Sequence, residues 1–428
     1  MIKTYLKLQL HWQILIALVL AVVAGLVTGE EMGLFGVTFY QFYDFFGTLF
    51  LNALKMLIVP LIVSSIIVGM MGIGSGEHLG RLGGKTLAYY ATTSLLAILV
   101  GLLVVNITAP GIVDGQPAKE MIGLNQNVDD VASKVEGKGA GDIVDVFLRM
   151  VPVNIVSAAA EGQMLGLIFF SLLFGYFLTK ISDPQSTTLK NFWQGTLDVM
   201  MEITNWVMKF APIGVFALVA KVIASSGLEA FRPLAMFFFS VLIALIIHMF
   251  ITMPLILKYV AKVKPQRHYK AMAPALLTAF STSSSSATLP LTMECVEQRA
   301  GVSNNVSSFT LPLGATVNMD GTALYECVAA MFIAQVYGIE LSFTTQFVIV
   351  LIALLTSIGV AGIPSASLVA ISIILAAIGL PMEAVGLILA VDRVLDMCRT
   401  SVNVFSDSVA AVVIGRLEGE KNILSKDI

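Results

Sequence analysis

Apolar positions along this chain fall in long unbroken runs, with neither the period of two expected of strands nor the mixed faces of surface helices. A helix that crosses a bilayer needs about 20 such residues. Runs of that order lie near 12–28, 45–72, 87–108, 164–180, 194–222 and 233–258. Each predicts a helix, because hydrocarbon offers backbone N–H and C=O groups no hydrogen-bond partner. Lys3 and Lys7 before the first run imitate the charged start of a signal peptide. No small-x-small cleavage site follows, and more apolar runs do, so a retained first helix is expected.

Beyond residue 258 the pattern breaks. An apolar stretch at 271–280 leads into Ser281-Thr282-Ser283-Ser284-Ser285-Ser286, and a shorter apolar stretch ends near Met293. Neither arm is long enough to span. A second broken unit runs from 347–355 through Ser357-Ile358-Gly359-Val360-Ala361-Gly362-Ile363-Pro364-Ser365-Ala366-Ser367 to 368–380. Each precedes a long apolar helix that carries polar residues, at 310–336 and 382–414. Paired interrupted segments in matching positions of two repeats point to a transporter site near the bilayer midplane. A flexible linker is the other reading of a serine run, but its apolar arms and the following Leu289-Pro290 disfavour it.

Composition agrees with a membrane chain: 57% of the 428 residues are hydrophobic and only 12% charged, against about 25% charged in soluble domains. The formal net charge is -3, and the basic residues lie between apolar runs without forming one basic face, which argues against a nucleic-acid partner. The densest basic cluster, Lys258, Lys262, Lys264, Arg267 and Lys270, predicts a cytoplasmic loop. Counting spans back from it puts the N-terminus in the cytoplasm and the Gly- and Asp-rich stretch 110–145 outside, as a solvated loop; the C-terminus is expected to be cytoplasmic as well. Cys295, Cys327 and Cys398, with His11, His78, His248 and His268, have neither disulfide nor metal-ligand spacing and are assigned structural roles.

The chemistry concentrates in the last helix. At about 100° per residue, Asp392, Asp396, Arg399, Asn403 and Asp407 share an arc of roughly 80° along about 22 Å. Charged groups inside a span are costly and mark functional sites by default. Asp396 and Arg399 are spaced for an i,i+3 ion pair that would only join helices. The functional alternative is a site for a zwitterion with an extra carboxylate: Arg399 forks onto that carboxylate, which the substrate supplies, and Asp396 accepts the ammonium. Upstream, Asn318-Met319-Asp320-Gly321 is a poor helix. An unwound turn there would free carbonyls that, with Asp320, suit a hard cation such as sodium; a simple kink is the alternative.

Three words, Ser284-Ser285-Ser286-Ala287-Thr288-Leu289-Pro290, Asn318-Met319-Asp320-Gly321-Thr322-Ala323-Leu324-Tyr325, and Asp396-Met397-Cys398-Arg399-Thr400 with Asn403 and Asp407, make the chain resemble the glutamate/aspartate:cation symporter family. That family includes archaeal aspartate transporters and animal excitatory amino-acid transporters. The resemblance implies an all-α membrane protein with eight transmembrane helices, two re-entrant hairpins and inverted repeats, working as an elevator in a homotrimer embedded in membrane lipid. Residues 1–257 would be mainly scaffold, 258–415 the transport core, and 416–428 a cytoplasmic tail, with the helices near 87–108 and 233–258 moving with the core. Substrate would meet Ser283, Ser284, Ser285, Thr322, Ile363, Asp396, Arg399, Thr400 and Asn403. One sodium site would use carbonyls of Gly314, Asn318 and Asn403 with the Asp407 carboxylate. A second would use carbonyls of Thr316, Ser357, Ile358 and Val360, and a third Tyr90, Thr93 and Ser94 with Asn318 and Asp320. Glu326 resembles the glutamate that animal members are thought to protonate, so a proton could accompany sodium. No enzyme activity is implied.

The chain departs from the pattern at two places. Archaeal members carry an arginine where Ser283 stands, and animal members one where Met397 stands; here Arg393 is the nearest candidate. Three rivals follow from other readings of the residues. The same fold could move a C4-dicarboxylate or a neutral amino acid, driven by protons, but the first gives Asp396 no ammonium and the second leaves Arg399 without a partner. Tyr43-Asp44, Gly139-Ala140-Gly141-Asp142 and Pro274-Ala275-Leu276 imitate an intramembrane aspartyl protease, yet Asp142 sits in the most polar stretch. A channel suits a site of mixed charge less well than occlusion of a zwitterion does.

Overall fold

The computed structural model describes residues 10–71, 77–119, 151–161, 164–357, 367–381 and 385–425, together with Met121 and Leu148. The described residues are mostly helical. Helix α1 (Leu10–Thr28) leads through a short hairpin, β1 (Gly33–Leu34) and β2 (Val37–Thr38), into α2 (Phe39–Met71) and α3 (Glu77–Thr108). A second hairpin, β3 (Ile112–Val113) with β4 (Gln116–Pro117), occupies the start of the stretch expected to be a plain loop. There Val113 and Ala118 are buried, and Arg232 donates two hydrogen bonds to Asp114, at 2.5 and 2.7 Å. Those bonds hold the exposed Asp114 carboxyl below the usual carboxylate range.

After α4 (Ile155–Ala160) and α5 (Met164–Leu178), the apolar run expected as one span at 194–222 is two helices, α6 (Gln185–Met208) and α7 (Ala211–Ser226). They are bent by 52°. Pro212 in the first turn of α7 lacks an N–H and so favours a fresh helix start over continuation. Helix α8 (Phe231–Ile247) continues through a π-turn (His248–Thr252) into α9 (Met253–Tyr259). Among the described residues, Leu82–Thr108, Gly227–Tyr259 and Val391–Leu417 are long and apolar enough to cross a membrane, and the bent pair of α6 and α7 is a fourth candidate.

Polar residues extend the first broken unit at both ends. Helix α10 is Pro265–Thr282, because Pro265 starts it and its first turns are amphipathic; α11 is Ser285–Glu294, followed by a π-turn (Cys295–Arg299). Only Ser283 and Ser284 leave the helix, although the hydroxyl run spans six residues, 281–286. The next span is two helices, α12 (Asn304–Val317) and α13 (Asp320–Val336). The arms α14 (Phe343–Ser357) and α15 (Ser367–Ile378) follow, then α16 (Val385–Leu417).

Helix α7 packs on α1 and α2, and α2 on α5 and α6. Helix α16 packs on α8, α10, α12 and α13, while α13 also lies along α3. Helix α13 is nearly all buried, Tyr325, Phe332 and Ile333 included, while α1 exposes Val19, Leu20, Val23 and Val27. An apolar surface of that kind is favourable only in a non-aqueous surround.

Candidate functional site

The buried polar groups of α16 are matched by two places where helices start or stop: the turn between α10 and α11 and the break between α12 and α13. In the first, Ser283 adopts the left-handed conformation, φ 50°. Ser284 caps α11, its Oγ accepting from the Ala287 N–H at 3.2 Å. Ser283 and Ser285 are buried, and Ser283 Oγ has no hydrogen-bond partner among the described residues. A buried hydroxyl without a partner costs roughly 1–3 kcal/mol, which a ligand can recover.

In the second, Asn318 (φ -107°, ψ 93°) and Met319 (φ -121°, ψ 61°) are non-helical, and helix resumes at Asp320. The break is an unwound turn, as the low helix propensity of its residues predicts. Asn318 Nδ2 donates to Ser406 Oγ at 3.0 Å and to Asp407 Oδ1 at 2.9 Å. This fixes the amide and leaves Asn318 Oδ1 buried without a partner among the described residues. Gly314 admits Asp407 and Tyr90: a Cβ there would lie 2.5 Å from Asp407 Oδ1 and 2.7 Å from the Tyr90 hydroxyl. Thr93 is buried one turn from Tyr90, which donates to the Thr310 carbonyl at 2.7 Å. Asp320 accepts from Ser94 at 2.7 Å and Ser406 at 2.6 Å, and its Oδ2 lies 3.1 Å from His248 Nε2.

Higher on α16, Asn403 accepts from the Gly321 N–H at 2.8 Å and donates to Thr322 Oγ1 at 3.1 Å. Arg399 is completely buried. Its Nη2 donates to Asp392 at 3.0 Å and Asp396 at 2.9 Å, its Nη1 to Ser367 at 2.8 Å, and its guanidinium lies 3.8 Å from the Tyr325 ring centroid. Arg393 Nη1 meets the other oxygen of Asp396 at 3.3 Å. The guanidinium therefore has internal partners besides the carboxylate that a substrate is expected to supply: the i,i+3 partner Asp396, and also Asp392 and Ser367. Seven residues separate Asp392 from Arg399, about two helical turns, which an extended arginine bridges.

Several expected residues stand apart. Thr400 donates to its own helix at the Asp396 carbonyl, 2.8 Å away. Thr316 is exposed and lines a cavity of about 360 Å³ with Ser65, Asp198, Ser286 and Pro312. Ser357 ends α14, while Ile358, Val360 and Ile363 lie outside the described residues. Glu326 is buried beside Thr356, whose hydroxyl donates to Oε2 at 2.9 Å. Its Oε1 has no partner among the described residues. Asp44 of the protease-like words pairs with Lys221 at 2.6 Å on an exposed face, and Asp142 lies outside the described residues.

His248, which the spacing gives only a structural role, touches Asp320. An ionisable residue within an apolar span was the available signal, but its partner, 72 residues away, has no trace in local spacing. Ser406, Ser367 and Tyr325 join the site in the same non-local way.

The Sodium:dicarboxylate symporter family profile matches residues 10–417. A proton/sodium-glutamate symport protein of Geobacillus stearothermophilus is 35% identical over 416 residues, covering 97% of this chain and 96% of its own. The proton/glutamate-aspartate symporter of Escherichia coli (strain K12) is 32% identical over 413 residues, covering 96% and 94%. Excitatory amino acid transporter 3 of Mus musculus is 35% identical over 464 residues, covering 98% and 88%.

Proposed function

We propose, from the premise that this chain belongs to the Sodium:dicarboxylate symporter family, that it takes up the acidic amino acids glutamate and aspartate together with cations. It is a membrane transporter and not an enzyme. The observation that carries the substrate reading is the buried Arg399 between Asp392 and Asp396. Such a cluster offers a guanidinium to a side-chain carboxylate and a carboxylate to an ammonium. The Ser283 hydroxyl, without a partner among the described residues, and the amide of Asn403 suit the remaining polar atoms of an amino acid.

Sodium is the driving ion in this reading. Asn318 Oδ1, the carbonyl of the non-helical Asn318, and the carboxylates of Asp320 and Asp407 are hard oxygen donors, gathered in one buried region. Tyr90, Thr93 and Ser94 border it. A second site, closing with the 358–366 segment, would use Thr316, Ser357, Ile358 and Val360, and Ile363 would complete the substrate pocket. Glu326 carries a proton, which its buried position beside a single threonine hydroxyl supports. Each net positive charge moved inward gains about 2.3 kcal/mol per 100 mV of membrane potential, so several cations per anionic substrate make accumulation favourable.

The transport movement is an elevator in which 258–415, with the helices near 87–108 and 233–258, slides past a scaffold formed mainly by 1–257 within a homotrimer. Eight spans and two re-entrant hairpins, with both termini cytoplasmic in the plasma or inner membrane, complete the proposal. Radiolabelled aspartate and glutamate uptake into proteoliposomes, with sodium and pH gradients imposed separately, tests it. Uptake that follows the sodium gradient is expected. Uptake indifferent to both gradients would overturn the symport mechanism.

A further inference from the structure

Helix α16 carries four charged side chains in two turns, Asp392, Arg393, Asp396 and Arg399, each less than one-tenth exposed. Two carboxylates and two guanidiniums balance to zero formal charge. The pairing divides the two Asp396 oxygens: Oδ1 accepts from Arg399 at 2.9 Å and Oδ2 from Arg393 at 3.3 Å. Arg399 is also tied to Asp392, Ser367 and the Tyr325 ring, so three elements fix its position. Arg393 differs. Its contact with Asp396 is the longer of the two, and it is 8% exposed where Arg399 is 0%.

We infer that Arg393 is a specificity-setting positioning residue, standing on Asp396 Oδ2 in place of a substrate ammonium and leaving when an amino acid binds. The inference rests on the proposed acidic amino-acid site. Physically, a buried carboxylate left with too little positive charge is expensive, so the site without ligand needs a cation at Oδ2. An i,i+3 neighbour on the same helix provides one without any chain movement. The weaker tether is what lets an incoming ammonium displace it. A diacid of the same length with no amino group leaves Arg393 where it is, and Asp396 stays compensated. Arg393 therefore narrows the discrimination between an acidic amino acid and its deaminated analogue, by weakening the first and tolerating the second.

Calorimetry on the purified full-length protein at saturating sodium tests this, with L-aspartate as titrant and succinate as competitor. The variants are Arg393→Met, which keeps the apolar stem, and Arg393→Lys, which keeps the charge. In Arg393→Met the ratio of aspartate to succinate affinity should rise by about tenfold, the effect of losing one buried compensating charge. Arg393→Lys should stay within about threefold of the wild-type ratio. An unchanged ratio in Arg393→Met overturns the inference. So does a parallel loss of both ligands with Arg393→Lys behaving alike, the mark of a merely structural residue, and so does wild-type protein that binds aspartate but no succinate. Wild-type protein that binds no aspartate instead overturns the substrate reading on which the inference stands.

Discussion

Asn318 and Asp407, 89 residues apart, are joined by a 2.9 Å hydrogen bond that ties the non-helical turn between α12 and α13 to the last helix. The bond places a carboxylate beside the break in the helix, where Asn318 and Met319 are non-helical. Asp407→Asn keeps the shape and removes the charge, so it should raise the sodium concentration for half-maximal uptake by about tenfold or more while changing the glutamate-to-aspartate preference little. A sodium titration at saturating substrate measures it, and an unmoved midpoint would remove Asp407 from the cation site.

Arg399→Ala removes the guanidinium that Asp392 and Asp396 share. Breaking such a pair costs about 3–5 kcal/mol, so this variant should lose acidic amino-acid binding and also melt at a lower temperature. Arg399→Lys separates the two effects. It keeps a charge near the aspartates but cannot reach Ser367, Asp392 and Asp396 together or present a planar fork. Aspartate affinity should fall while most of the thermal stability returns. Binding by the lysine variant at wild-type strength would show that the guanidinium geometry is not what recognises substrate.

Glu326→Gln mimics a permanently protonated carboxyl and keeps an acceptor for the Thr356 hydroxyl. Net uptake should lose its pH dependence, and exchange of internal for external substrate should continue. Equal pH sensitivity in wild type and variant would exclude Glu326 as the proton carrier.

Gly321 lets α13 approach α16, since a Cβ would lie 2.7 Å from the Arg399 carbonyl oxygen and 3.1 Å from its Cα. These are backbone atoms and cannot rotate away. Gly321→Ala should therefore destabilise the protein by about 1–3 kcal/mol and weaken substrate binding with it, since the approach places Asn403 against the Gly321 N–H. Thermal melting with and without aspartate reports both effects; an unshifted melting temperature would mean that the helices can part without loss.

The sequence by itself determined whatever depends on local propensity and periodicity. That the apolar runs form helices follows from their length, the unwound turn from Asn318 and its neighbours, and the single polar face of α16 from helical spacing. The family resemblance was likewise carried by contiguous words. Tertiary structure decided which groups meet. Asp320 acquires Ser94, His248 and Ser406 from three different segments, and Arg399 acquires Ser367 and Tyr325. It also decided that the hydroxyl run gives up only two residues to its turn and that the run at 194–222 bends. The physical reason is that periodicity reports which face of a helix is polar, whereas the identity of the polar group opposite depends on helix packing between residues far apart in the chain, which leaves no pattern in either helix alone.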